Sequence, residues 1–214
     1  EKHLLLILLI IADLMFVLLH ILHVYTDHLP TSLYSLTKER GYSEFFQFTK
    51  ELWIVVLLIL LAVRKRKWMY IVFSFLFLYF LLDDAFEYHE NFGEFLAQFL
   101  QLQPALGLRG VDFGELIVSA TFGLLFIIAL GLGYSQSKPQ IKSVARYLFG
   151  LILLLAGFGV ALDMLGIMIE QSNIEEILII FEETGEMLVM SIICWSVFHL
   201  NYHDAGLPFV KNPG

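Results

Sequence analysis

Carboxylates recur at fixed spacings along this chain. Asp83 is followed seven residues later by Glu90, and Asp163 seven residues later by Glu170. Each pair is answered downstream by an acidic-x-Gly-acidic segment, Asp112-Phe-Gly-Glu115 in the first case and Glu183-Thr-Gly-Glu186 in the second. A degraded version stands near the start, where His20 and Asp27 are seven apart and Glu51 follows. Seven residues is almost two helical turns, so each pair shares a face with its members about 10 Å apart along the axis. Asp83, Glu87 and Glu90 would make one stripe, and Asp13, His20, His23 and Asp27 a narrow sector of another helix. Ionisable side chains are costly against lipid, so these faces are expected to turn toward one another or toward water and to line one pocket.

So many carboxylates need compensation. Like charges in one site favour protonation, whereas a bound cation would satisfy them as anions. Imidazoles among carboxylates suit Zn, Fe, Mn or Cu, and carboxylates alone suit Ca or Mg. The expected metal ligands are Asp83, Glu87, Glu90, Asp163, Glu183, Glu186, His20, His23 and Asp27, with Asp112, Glu115, Glu51, His89 and Glu170 behind them. The Glu87-Tyr-His89-Glu90 segment and the acidic-x-x-acidic pairs resemble the carboxylate-bridged dimetal sites of helical bundles. The sequence departs from that pattern in having no Glu-x-x-His. His199 and His203 form an HxxxH pair similar to the zinc motif of the alkaline ceramidase and adiponectin receptor superfamily. That family has seven helices and an early Ser-x-x-x-His partner, neither of which is found, so the two are read as interfacial histidines near Trp195 and Tyr202. For many of the acidic residues the simpler reading is a helix end at the membrane–water interface or a favourable place in a helix dipole.

The elements that must position these groups are long and apolar. Runs at 4–25, 46–63, 68–90, 112–134, 145–169 and 177–200 each approach the ~20 residues needed to cross a bilayer. With 58% hydrophobic residues, twenty phenylalanines and a mean hydropathy of +0.77, the chain cannot cover itself with polar surface as a soluble domain does. The expected fold is an all-α integral membrane domain over 1–203, six helices in three hairpins around a pseudo-threefold axis, followed by an irregular tail at 204–214. Residues 92–103, with Phe and Leu at helical spacing before Pro104, read as an amphipathic helix lying on the membrane surface. The polar, aromatic 26–45 loop reads as a second cap over the pocket.

Charge sets the expected orientation. The N-terminus, the loops at 64–67 and 138–146 and the C-terminus hold nine Lys and Arg, four of them in Arg64-Lys65-Arg66-Lys67, against four on the opposite side. Both termini are therefore expected in the cytoplasm and the acidic pocket outside it. No cleavable signal peptide is expected in the first apolar run, which spans and carries Asp13, His20 and His23. Cys194, the single cysteine, excludes an internal disulfide and a CxxC metal site. Neither a haem motif nor a nucleotide loop is present. Retinal attachment is disfavoured because Lys50 lies at a helix start and no other lysine lies inside a helix; nucleic acid is not an expected partner.

Residues 54–63 contain no polar side chain, and 147–162 are apolar apart from Tyr147. A transporter needs polar groups at the midplane and a route to both sides, so a pocket open to one side is the better fit. The expectation is a metal-dependent enzyme acting on a lipid or other hydrophobic substrate. The alternatives are a noncatalytic subunit or sensor with a structural cation, docked on partner membrane subunits, and a cation- or proton-coupled transporter, for which Asp13 is the best argument.

Overall fold

The computed structural model describes residues 3–168 and 172–202, apart from the side chains of 163, 167–168 and 172–176. Glu170, His203 and the 204–214 tail lie outside the described residues. The described chain is helical: α1 (Leu4–Tyr25), a 3₁₀ turn (Ser32–Tyr34), α2 (Tyr42–Lys65), α3 (Trp68–Phe86), α4 (Tyr88–Leu100), α5 (Gly110–Ser135), α6 (Pro139–Ala156), a π-helical turn (Gly157–Leu162), α7 (Asp163–Met168) and α8 (Ser172–Tyr202). Five helical stretches are long and apolar enough to cross a membrane: α1, α2, α3, α5 and the continuous run Pro139–Gly166. That set fits a multi-pass membrane protein.

The distribution of apolar surface explains the packing. α1 buries only Leu9, Asp13 and His20 on one face and leaves Leu4, Ile7, Leu8, Ile11, Leu14 and Leu18 uncovered. In a bilayer those side chains need no protein partner, because lipid is as apolar as they are. α8 is the opposite case. From Met187 to Leu200 nearly every residue is buried, against α1, α2 and α6. Its core, with Val189, Met190, Ile193 and Val197, meets Ile54, Leu58 and Leu61 of α2, Phe73 and Phe77 of α3, and Leu148 and Ile152 of α6. A helix that faces protein can carry Ser191, Ser196 and His199, and with five glutamates in its first half it falls outside the five apolar spans.

The expected single helix over 68–90 is broken. α3 ends at Phe86, Glu87 adopts a left-handed conformation (φ 55°), and the chain restarts as α4. Restarting exposes backbone donors that the first turn leaves unpaired, and the Asp83 carboxylate accepts one of them, the His89 N–H, at 2.7 Å. The helix expected at 92–103 therefore starts earlier, at Tyr88, and ends at Leu100. It presents Phe92, Phe95 and Phe99 outward and buries Gly93 and Ala97 against α5. Its seat is a backbone contact, since a side chain on Gly114 would run into the Gly93 carbonyl and one on Gly93 would come within 2.7 Å of the Glu115 nitrogen.

α2 starts at Tyr42, four residues before its apolar run. This moves Lys50 from a helix start to a position more than two turns inside, fully buried, and corrects the premise that no helix interior holds a lysine. The third hairpin differs from the second in another way. Among its described residues, α6 continues into the π-helical turn and then α7, and the turn's i→i+5 geometry shifts every later residue around the helix.

Candidate functional site

Two cavities meet between α2, α3 and α8. The first is a polar vestibule of about 200 Å³ walled by Leu36 to Glu39 of the 26–45 loop, by Ser43, Glu44 and Gln47 of α2, and by Asp84, Glu183 and Glu186. The second, about 320 Å³, is apolar along most of its wall, with Tyr79, Phe122, Phe126, Phe149 and Val160 prominent. Gln47, Asp84 and Glu186 line both. Phe122, Ile127, Leu153 and Val160 line the second cavity and are also exposed on the molecular surface. Its mouth therefore opens between α5 and α6, which meet through Phe126 and Phe149 with ring centroids 6.4 Å apart.

At the junction lies a carboxyl pair. The Glu51 and Asp84 carboxyls face one another across α2 and α3, and two carboxyls sharing one buried site favour a proton held between them. Glu51 is 1% exposed, and its Oε2 has no hydrogen-bond partner; neither does Oε1 of Gln47, one turn earlier and 9% exposed. Both residues line the apolar cavity. Opposite them the π-helical turn brings Gly159 against Glu186, so closely that a side chain there would collide with the carboxylate.

Asp83 and Asp84 are neighbours in sequence and face different ways. Asp84 meets α2, whereas Asp83 turns to α4, where its Oδ2 lies 3.0 Å from His89 Nδ1. The angle makes this an ion-pair contact rather than a well-aligned hydrogen bond. The Asp83 carboxylate nonetheless raises the His89 pKa above the ordinary imidazole value, overcoming the opposing effect of partial burial.

The other expected ligands are dispersed. His20 is buried, but its Nδ1 accepts the Leu36 N–H (3.1 Å) and anchors the 26–45 loop. His23 Nδ1 meets the Leu29 carbonyl at 2.6 Å, and Asp27 is exposed in the same loop. Glu87 pairs with Arg40 at 3.0 Å, and Glu90 is exposed on α4. The break at Glu87 separates these two from the Asp83 face. Asp112 is buried as part of a capping box, accepting the Arg109 N–H (2.6 Å) and two guanidinium N–H groups. Glu115 sits against Gly93 of α4. Asp83, Glu51, His89 and Glu186 share the apolar cavity, and Glu183 the vestibule. The side chain of Asp163, and Glu170 altogether, lie outside the described residues. Among those described, no group of three or more His, Cys, Asp or Glu converges as a metal-binding set.

Sequence reasoning passed over Asp84, Gln47 and Lys50. The first two line the junction. Lys50 builds a separate network deeper in the bundle: Nζ donates to Asp13 Oδ1 (3.0 Å), the Met187 carbonyl (2.9 Å) and Ser191 Oγ (3.3 Å), while Ser191 donates to Asp13 Oδ2 at 2.5 Å. All three ammonium donors are used. The signal that could have found it was an Asp and a Lys, each inside an apolar run, where each needs the other.

A family model described as "Domain of unknown function (DUF8692)" matches residues 4–202. The chain belongs to the DUF8692 family. No curated protein and no solved structure matches it. The match takes in all the elements of the DUF8692 chain that form the vestibule, the cavity and the Lys50 network.

Proposed function

We propose that the DUF8692 chain admits an amphiphilic molecule from the bilayer, through the mouth between α5 and α6, and holds its polar end at the Glu51–Asp84 pair. The observation that carries this reading is the continuity of a surface-open, aromatic cavity with a buried carboxyl pair. Ligand pockets join apolar walls to a few placed polar groups in this way. The shared proton gives the pair a donor and an acceptor for acid–base chemistry at the bound end, which makes a membrane-embedded enzyme on a lipid or other hydrophobic substrate the natural form of the activity. In this reading α8 is a sixth span, both termini are cytoplasmic and the vestibule faces outward.

The test is photolabelling in lipid nanodiscs with a long-chain alcohol carrying a diazirine on its chain. Labels should concentrate on the α5 and α6 residues of the cavity and disappear in Gly123→Trp, because Gly123 lines the cavity and has nothing within 4 Å of its would-be Cβ. Equal labelling of every lipid-facing helix, unchanged by that substitution, would reject the cavity as a binding site.

A metal-dependent form of the same activity has one observation in its favour: Asp83 beside His89 on the cavity wall is the carboxylate–imidazole arrangement that orients a ligating histidine. Elemental analysis of purified protein decides it. Stoichiometric Zn, Fe, Mn or Cu that falls in Asp83→Asn and His89→Ala supports this form, and metal content insensitive to both removes it.

A further inference from the structure

Three atoms on the cavity wall lack a hydrogen-bond partner; His89 Nδ1 faces the Asp83 carboxylate at 3.0 Å, and the other two, on α2, are both acceptors, which directs the chemistry of what they take. A buried carbonyl or carboxylate oxygen without a donor carries a desolvation cost. Here Glu51 Oε2 and Gln47 Oε1 carry it one helical turn apart on the same face of α2, on the wall of the same cavity. Their neighbours cannot relieve them. The Lys50 ammonium, next in sequence to Glu51, spends its donors on Asp13, Met187 and Ser191.

The surrounding charge points the same way. Glu39, Glu44, Asp84, Glu183 and Glu186 line the adjoining vestibule with one cation, Lys38. An anionic head would meet repulsion there and would bring acceptors to acceptors. A hydroxyl head offers one donor for two orphaned oxygens. A primary ammonium offers three donors and a positive charge.

We propose that the polar end held at the junction is a primary ammonium, so that the cavity selects long-chain amines or amine-headed lipids over alcohols and acids of the same chain. The proposal rests on the cavity being the binding site, and the contact set is Glu51 and Gln47 on α2 with Asp84 and Glu186 across from them. Charge-assisted hydrogen bonds made in a site shielded from water are the strong ones, and selectivity therefore belongs to the head while the aromatic wall supplies chain affinity.

The test uses three diazirine-bearing probes with one C18 chain and an amine, an alcohol or a carboxylic acid head, competed in nanodiscs at fixed pH. The amine should label the cavity with an apparent affinity roughly tenfold or more above the alcohol, with the acid weakest. Gln47→Leu and Glu51→Gln should each reduce the amine's advantage toward that of the alcohol, and thermal unfolding reports whether each variant is folded. If Glu51→Gln does not fold, Gln47→Leu, at the boundary of the two cavities, decides alone. Alcohol or acid binding as tightly as amine overturns the ammonium assignment and leaves the cavity reading standing. An amine preference that survives Gln47→Leu places the head elsewhere and also overturns it. If none of the probes labels the cavity, the binding-site reading itself has failed.

Discussion

Removing one partner of the Asp13–Lys50 pair should destabilise the bundle far more than removing both. Both side chains are fully buried with Nζ 3.0 Å from Oδ1, a separation at which the Coulomb attraction is about 5.5 kcal/mol for an effective dielectric of 20. Desolvation of the two ions offsets much of this, so the intact pair is worth little beyond a well-packed apolar pair. The lone ion is another matter, and stranding one costs about 3–5 kcal/mol. Asp13→Leu leaves the ammonium with the Met187 carbonyl and Ser191 alone, and Lys50→Met leaves the carboxylate with Ser191. Each single variant should lose about 3–5 kcal/mol, and the double variant should recover most of that, giving a coupling energy of about 2 kcal/mol or more in a double-mutant cycle. The assay is reversible unfolding in mixed micelles titrated with SDS, followed by tryptophan fluorescence, since Trp195 lies one turn below Ser191 on α8 and is buried. Additive losses, with no recovery in the double variant, would refute the pair as an interacting unit. Single variants costing under about 1 kcal/mol, the surface-pair range, would refute the burial.

His89 should titrate above the ordinary imidazole value of about 6.5, because the charged form faces Asp83. A raised folded pKa means that the contribution to stability is fully present below about 6.5 and is lost as pH rises through the raised value. His ring proton shifts should show this midpoint in the wild type and a lower one in Asp83→Asn; identical midpoints would deny the contact a role. Hydrogen-exchange protection across 88–100, taken relative to the base-catalysed intrinsic rate, should fall over the same upward pH interval, with that of α3 unchanged. Gly114→Ala would drive a methyl into the Gly93 carbonyl and should cost about 1–3 kcal/mol at the α4–α5 seat. Its readout is a cysteine at position 97, shielded against α5 in the parent and reactive in the variant; continued shielding would show that the two helices can part without undocking.

Composition and run length made the helical, membrane-compatible class legible, because ~20-residue apolar runs have few other uses. A short helix carrying Phe92, Phe95 and Phe99 on one exposed face was legible too, though it runs over Tyr88–Leu100 rather than 92–103. Helix ends were harder. Residues 83–91 contain no Gly or Pro to signal a helix end, and the break at Glu87 comes with Asp83 accepting the His89 N–H, a contact visible only once the chain has turned. The seven-residue spacing selected Asp83 over Asp84, yet adjacent residues on a helix point about 100° apart. The neighbour that spacing ignored is the one facing Glu51. His20 and Asp112 were read as ligand candidates from residue type and spacing, and each instead satisfies backbone donors, of the 26–45 loop and of the α5 N-terminus.

The same limit explains why α8 looks least like a membrane span while lying deepest in the bundle. Hydropathy measures compatibility with lipid, and a helix shielded by α1, α2 and α6 is released from that requirement. What it must satisfy instead is polar pairing, and α8 supplies it twice: Ser191 and the Met187 carbonyl complete the Lys50 shell, and Glu186, next in sequence to Met187, reaches the cavity. Lys50 and Glu51 are adjacent in sequence and point about 100° apart, so α2 carries a closed polar network on one face and an open one on a neighbouring face. In the closed network every donor has an acceptor. In the open one the α2 acceptors Glu51 Oε2 and Gln47 Oε1 lack donors. A fold that saturates a buried lysine with three acceptors has the means to saturate Glu51 and Gln47 as well, and acceptors left bare beside a surface-open cavity are what the proposed binding reading requires and a purely structural network does not.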